Sequence, residues 1–311
     1  MSEENRPAGL PFEVVAVWLL FAVAAVEVLV TYARLDPREL YHVSGNGLGG
    51  GASRLLVLLN YPLALAAIAV LVLLAGRGRG RAAWVAVAGI VLSAAVFWPG
   101  VVEQADLDAK PVNAIAALGV AVAVALSMYV WRTGGLERLG RRAGDPLRLL
   151  IAAAAFLLAV PWLLADLGVS LDGVPVLGTL YQTGELRSEP GDAVLHPAVH
   201  HGHHHGMDGV LLVWTALLLS RVVPTVRTAW ARGVAGAYLA LMFCYGAANL
   251  ANDFWLEQIV KRGWTDWEIP GVTVPKLSVA WGVIVLSAAA LWLLVSPRLR
   301  PSPAPPEPGA V

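Results

Sequence analysis

The chain has 311 residues, of which 58% are hydrophobic and only 14% are charged. A soluble domain carries about a quarter charged residues, so this composition excludes an ordinary soluble protein and indicates an integral membrane protein. The 22 basic and 22 acidic residues cancel, which removes any argument from bulk charge for nucleic acid as a partner. A single cysteine, Cys244, excludes an intramolecular disulfide.

Stretches of about 20 mostly apolar residues have the length that an α-helix needs to cross a bilayer core. Eight segments have this character, and they predict an all-α, polytopic membrane bundle with helices at 12–34, 54–76, 83–102, 111–131, 149–168, 208–226, 233–255 and 275–296. The first segment follows an acidic start rather than the basic start of a signal peptide, so we expect it to be retained. The bundle forms one domain, 12–296, between an N-terminal segment, 1–11, and a proline-rich tail, 297–311, that is expected to be disordered.

Basic residues are concentrated in alternate loops of this predicted bundle. Fourteen of the 22 arginines and lysines fall at the two termini and in three loops, and basic flanks remain in the cytoplasm. Both termini are therefore expected in the cytoplasm, with loops 35–53, 169–207 and 256–274 outside. The outer side holds fifteen acids and eight basic residues, and this negative balance favours a cation as ligand. The arginine preference and the alanine-, valine- and leucine-rich spans indicate the cytoplasmic membrane of a bacterium.

Two outer loops have distinctive sequences. Residues 45–51 are rich in glycine without the spacing of a phosphate-binding loop, so they are predicted to form a flexible turn. Residues 253–267 carry apolar side chains near helical spacing, which predicts either a short helix on the membrane surface or a lid over a neighbouring site. Membrane lipid is an expected partner, because tryptophans near the predicted helix ends are typical of bilayer anchors: Trp84, Trp98, Trp131, Trp162, Trp230 and Trp255.

Six of the seven histidines lie in one segment before the sixth predicted span: His196, His200, His201, His203, His204 and His205. Imidazole is the commonest protein ligand for zinc, copper and iron. Asp208 follows the segment and adds a carboxylate, and His42 in the first outer loop is a more distant candidate. The sequence therefore predicts an outward-facing site for a divalent metal ion formed by the six histidines and Asp208, with zinc favoured and iron or copper as alternatives.

The spacing within this histidine segment is compatible with a helix or a loop. Pro197 is favoured in the first turn of a helix, and a helix starting there would align residues four positions apart. Two such sets result: His200, His204 and Asp208, and His201 with His205. Gly202 and Gly206 disfavour the helix by about 1 kcal/mol each, and in a loop any three histidines could converge. A solvated histidine-rich loop without a specific site is the remaining alternative.

Acids near the outer ends of the spans are the second indication of a site, because ionisable groups are expensive in a bilayer. Asp166 and Asp253 lie near the outer ends of the fifth and seventh spans, and Glu27 lies past the middle of the first. Asp253 also follows Tyr245 and Asn249 at four-residue steps, which gives a polar stripe that must face protein or water. Asp253 and Asp166 are therefore candidate catalytic bases, although each acid could instead pair with a basic neighbour.

These residues are compatible with three functions. We favour a membrane-embedded metalloenzyme, a hydrolase or oxidoreductase, in which an acid acts as general base on water held by the metal. Its substrate would be lipid-like or delivered through the membrane. The alternative is a divalent-cation transporter or metal-capturing receptor with Glu27 on the ion path. The third function is a non-catalytic membrane subunit whose histidine-rich loop docks a partner.

Overall fold

The structure, a computed structural model, describes residues 8–34, 47–78, 80–99, 101, 109–166, 174–176, 186–187, 196–197 and 204–296. This part of the chain contains eight α-helices: α1 (Phe12–Arg34), α2 (Gly47–Arg77), α3 (Arg81–Ser93), α4 (Pro111–Gly134), α5 (Asp145–Asp166), α6 (His204–Ser220), α7 (Ala229–Trp255) and α8 (Val279–Val295). Two pairs of short strands accompany them. In the first, β1 (Leu10–Pro11) runs parallel to β2 (Leu136–Glu137), and in the second, β3 (Leu186–Arg187) runs antiparallel to β4 (His196–Pro197).

The predicted helical class is confirmed, because each of the eight predicted segments overlaps one helix. Among the described residues, five helical stretches are long and apolar enough to cross a membrane: Phe12–Val30, Asn60–Arg77, Pro111–Gly134, Gly206–Thr225 and Ala229–Val260. The stretches Arg81–Phe97 and Val279–Val295 are apolar but shorter. The number of eight spans therefore stays a prediction.

The helix boundaries differ from the prediction at the glycine-rich sequence. Helix α2 begins at Gly47, so residues 47–51 are helical and the flexible turn predicted for 45–51 is wrong over these positions. Glycine disfavours a helix by about 1 kcal/mol relative to alanine. The helix nevertheless runs through these glycines into the apolar segment that follows.

Helix α2 is the centre of the bundle. It packs against α1, α3, α4, α6 and α7, and 78% of the stretch Asn60–Arg77 is buried. Its buried face is rich in alanine, including Ala64, Ala66 and Ala67. Small side chains let neighbouring helices approach closely, which is how helices associate where no hydrophobic effect separates protein from lipid.

One end of the bundle gathers the three arginine-rich loops. Arg77 at the end of α2 donates through Nη2 to the carbonyl of Gly9 at 3.1 Å. The Arg227 N–H donates to the Gly76 carbonyl at 3.1 Å, and Arg221 Nη2 donates to the Gly140 carbonyl at 3.0 Å. These bonds bring together the start of α1, the end of α2 and the α4–α5 and α6–α7 connections. We call this the arginine end; its arginines are Arg77, Arg81, Arg132, Arg138, Arg141, Arg142, Arg148, Arg221, Arg227 and Arg232.

Three acids at the arginine end form ion pairs between different elements of the chain. Glu13 of α1, only 2% exposed, contacts Arg221 with 2.5 Å between Oε1 and Nη1. Arg221 also contacts Asp145 at 3.0 Å, Nε to Oδ1. Arg77 pairs with Glu137 at 2.5 Å, Nη2 to Oε2. The first helix, the centre of the bundle and the start of α5 are therefore tied together at this end.

Candidate functional site

The histidine segment enters the bundle at the start of α6. His196 lies in β4, where it is the partner of Arg187 in β3, and α6 begins at His204. Pro197 is therefore in a strand. Its preference for the first turn of a helix predicted a helix start at this position, and that prediction is wrong. The helix does begin inside the segment, which puts His204 and Asp208 one helical turn apart. His205 is the second residue of α6, and His200, His201 and His203 lie outside the described residues.

Asp253 of α7 holds the first turn of α6. Its side chain is 4% exposed, and its Oδ2 accepts a hydrogen bond from the Gly206 N–H at 3.2 Å. The first N–H groups of a helix have no partner within the helix, and the helix dipole favours a negative charge beside them. The predicted base Asp253 thus lies against the histidine segment and has a structural role there.

Asp208 lies where α2, α6 and α7 meet. Its carboxylate is half-buried and close enough to the hydroxyl groups of Tyr61 and Tyr245 to interact electrostatically with both. The two tyrosines are buried, and their rings pack edge to face with centroids 6.1 Å apart. Buried tyrosines need hydrogen-bond partners for their hydroxyls, so this region is polar although apolar helices surround it.

Sequence reasoning missed Tyr61. It belongs to the polar pair Asn60 and Tyr61, which precedes Pro62 within an otherwise apolar segment. Asn60 is also buried and donates through Nδ2 to the Asn113 carbonyl of α4 at 3.0 Å. Polar side chains inside a span were the signal that could have identified this position.

The polar stripe predicted on α7 is present, and it faces protein. The Tyr245 hydroxyl donates to the Thr273 carbonyl at 2.6 Å, and the Thr273 hydroxyl donates to Asn249 Oδ1 at 3.2 Å. Asn252, next to the stripe, donates to the Ile269 carbonyl at 2.7 Å. The chain that follows α7 therefore folds back along the helix, and the stripe holds it in place.

The segment 253–267, predicted to be a short surface helix or a lid, begins as an extension of α7. Helix α7 continues into a π-helical turn at Leu256–Val260. Glu257 and Gln258 in the turn are buried, and Glu257 Oε1 pairs with Lys261 Nζ at 3.2 Å. A π-turn is rare and is often found at functional sites.

The other predicted acids are less closely tied to this region. Glu27 is half-buried within α1. Asp166 is the last residue of α5, a helix that packs against α6 and α7. His42 lies outside the described residues. The structure thus brings Asp208 and Asp253 to the start of α6, and we call this region, together with Gly206, Tyr61 and Tyr245, the histidine end.

The predicted metal ligands lie partly outside the described part of the chain, which includes neither His200, His201 nor His203. Within the described ranges, no group of three or more histidine, cysteine or acidic residues is arranged to hold a metal ion. A metal ligand set at the histidine end would therefore need histidines from the part of the segment that precedes His204.

No protein-family model, no curated protein and no solved structure matches this chain. Functional inference accordingly rests on its own residues.

Proposed function

We propose that this chain is a membrane-embedded metalloenzyme that binds a divalent ion, with zinc favoured over iron or copper, at its histidine end. One observation carries the proposal: α6 begins within the histidine segment, so that His204 and Asp208 are separated by one helical turn. Residues four apart share a helix face and can contact one ion. The location in apolar helices favours a lipid-like or membrane-delivered substrate.

The roles follow from the chemistry of the side chains. His200, His204 and another histidine of the segment would ligate the ion, and Asp208 would complete or orient the set. Asp253 or Asp166 would act as general base on water at the metal, whose acidity the ion increases. Support for Asp253 comes from its carboxylate, which contacts Gly206 in the same helical turn.

Elemental analysis of the detergent-purified protein tests this proposal. We expect one equivalent of zinc in the wild type and its loss in His200→Ala and His204→Ala. His42→Ala, which removes the histidine outside the segment, shows whether that more distant candidate is also a ligand. Equal metal content in all four proteins would contradict the site.

Catalysis is tested separately from binding, because a structural zinc site has no free coordination position. In cobalt-substituted protein, azide should change the visible spectrum if one position is open to an external ligand. A cobalt spectrum that azide leaves unchanged would identify a structural ion and argue against a metalloenzyme.

A divalent-cation transporter is the second candidate. It is favoured by Glu27, an acid half-buried within the apolar helix α1, and by the ion pairs that join helices at the arginine end, which would form the closed side. Metal uptake into proteoliposomes that Glu27→Gln abolishes would support it. Uptake that Glu27→Gln leaves unchanged would remove Glu27 from the path.

A further inference from the structure

The arginine end carries a large excess of positive charge that its own acids do not neutralise. Its described residues include ten arginines and three acids, a difference of seven charges. The acids Glu13, Glu137 and Asp145 are all engaged by the buried or half-buried arginines Arg77, Arg148 and Arg221. The remaining arginines are therefore the source of the net charge.

Five of these arginines are exposed: Arg81, Arg132, Arg138, Arg141 and Arg227. Contacts already described bring their segments together, because Arg77 links α2 to Glu137, and the Arg227 N–H bonds the end of α2 at Gly76. In the described part of the chain, Arg81, Arg138 and Arg227 form no ion pair. Like charges at close range repel one another and favour an anionic partner.

Exposed tryptophans accompany three of the arginines. Trp84 follows Arg81 by three residues and is 76% exposed. Trp230 likewise follows Arg227 by three residues and is 78% exposed. Trp131, next to Arg132, is also exposed. Indole rings prefer the interface between lipid tails and water, and in a bilayer this preference would place the neighbouring guanidinium groups at the depth of lipid headgroups.

Two of the three connections at this end keep their arginines close to the ends of the helices. Only residues 78–80 separate α2 from α3, and α6 is joined to α7 through a tight turn that includes Val223–Thr225. A soluble polyanion would have to approach arginines that lie among lipid headgroups. In a bilayer, the headgroup phosphates would already lie beside these arginines.

We propose that the arginine end binds the headgroups of acidic phospholipids, with exposed guanidinium groups contacting phosphate and the adjacent indoles contacting the glycerol and upper acyl region. This inference rests on insertion in a membrane and is independent of a metal at the histidine end. Basic residues at a membrane surface each strengthen binding to acidic lipid by roughly fivefold.

The test compares acidic and neutral lipid around the same protein. The wild type is reconstituted in phosphatidylcholine vesicles with equal mole fractions of either brominated phosphatidylglycerol or brominated phosphatidylcholine, and quenching of tryptophan fluorescence gives the relative binding constant. We expect the wild type to prefer phosphatidylglycerol several-fold, and we expect added salt to weaken the preference.

Two triple variants separate the arginine end from charge in general. Arg81→Gln, Arg138→Gln and Arg227→Gln together should abolish most of the preference, with an unchanged thermal midpoint because these side chains are exposed. The control removes three positive charges elsewhere, at Lys110, Arg262 and Lys276, each changed to Gln, and should keep the preference.

Four outcomes would overturn the proposal. The first is equal quenching by both lipids in the wild type. The second and third are a preference for phosphatidylglycerol that the arginine variant retains in full, and a loss of that preference in the control variant as large as in the arginine variant. The fourth is binding of a short oligonucleotide through the same arginines without any preference for phosphatidylglycerol. The last outcome would assign the arginine end to a soluble polyanion.

Discussion

At the scale of single residues, the Glu13–Arg221 pair joins positions 208 apart in the sequence. Glu13 is almost completely buried and Arg221 is about one-fifth exposed, with side-chain accessibilities of 2% and 22%. Removal of one partner of a buried pair leaves a charge without compensation in a medium of low polarity, and the penalty exceeds what the pair contributes when intact. Substitutions of Glu13 and of Arg221 are therefore expected to differ in their effects on stability.

We expect Arg221→Gln to lower the free energy of unfolding by about 3 kcal/mol, because it leaves Glu13 charged and buried. Glu13→Gln should cost less, since it removes the buried charge itself. The double variant should be more stable than the sum of the single effects predicts. Thermal or denaturant unfolding in detergent measures all three, with the exposed Arg138→Gln as control. Additive effects of the two changes would contradict a direct pair.

Asp145 makes part of this stability dependent on pH. Burial opposes its ionisation, but the hydrogen bond from the Arg142 N–H and the charges of Arg221 and Arg148 outweigh burial and lower the pKa of Asp145 below 3.8. A lowered pKa stabilises the folded state above the ordinary pKa, and this contribution is lost as the pH falls through the folded value.

Wild-type protein should accordingly be more stable than Asp145→Asn at pH 7, and the difference should shrink once the pH falls below 3.8. Thermal midpoints of both proteins across an acid pH series provide the measurement. A difference that is the same at every pH would show that the amide change acts through packing and not through the carboxylate charge.

At the scale of helices, α6 and α7 approach each other most closely where two glycines face. A Cβ added at Gly209 would lie 2.7 Å from the carbonyl oxygen of Gly246, and one added at Gly246 would lie 2.8 Å from the carbonyl oxygen of Gly209. Both obstacles are backbone atoms, so no side chain can move aside. This crossing positions Asp208 of α6 relative to Tyr245 and Asp253 of α7.

Gly209→Ala should therefore separate the helices and destabilise the protein by about 1–3 kcal/mol. Gly233→Ala is the matched control on α7, because its added Cβ meets no atom within 4 Å. It should be neutral or stabilising, since alanine favours a helix over glycine. The measurement compares the free energies of unfolding of the two variants. Equal stabilities would argue against a tight crossing.

The helices are also the elements that the sequence predicts best. Runs of about 20 apolar residues located the eight helices of the described residues, five of which contain stretches long and apolar enough to cross a membrane. The four-residue spacing of Tyr245, Asn249 and Asp253 predicted the polar stripe. Two long-range contacts were not predicted: the strand pairing at Leu10 and Leu136, and the ion pair of Glu13 with Arg221. Each contact joins distant residues through geometry that no local pattern encodes.

Prediction of the histidine segment from the sequence was limited in the same way, by contacts between distant residues. Composition identified the segment, but Pro197 suggested a helix start that the strand pairing with Leu186 overrides. In the first turn after His204, the Gly206 N–H donates a hydrogen bond to Asp253, although 47 residues separate them. A tertiary contact, and not local propensity, accompanies the observed helix boundary.

At the scale of the whole molecule, the two ends of the bundle differ in charge, and this difference predicts the orientation. The arginine end should be cytoplasmic and the histidine end outside, because arginine-rich loops resist translocation. Gly140 lies in the α4–α5 connection at the arginine end, and Gly271 lies in the segment that folds back along α7 at the opposite end. A Cβ added at either position meets no atom within 4 Å.

Cysteines at these positions test the orientation in a Cys244→Ser background. A membrane-impermeant maleimide should label Gly271→Cys in intact cells and Gly140→Cys only after permeabilisation. Ser296→Cys, at the end of α8, should behave like Gly140→Cys if all eight helices span the membrane, because an even number of spans returns the chain to the side from which it started. Labelling of Ser296→Cys in intact cells would instead require an odd number of spans, and labelling of Gly140→Cys there would reverse the orientation.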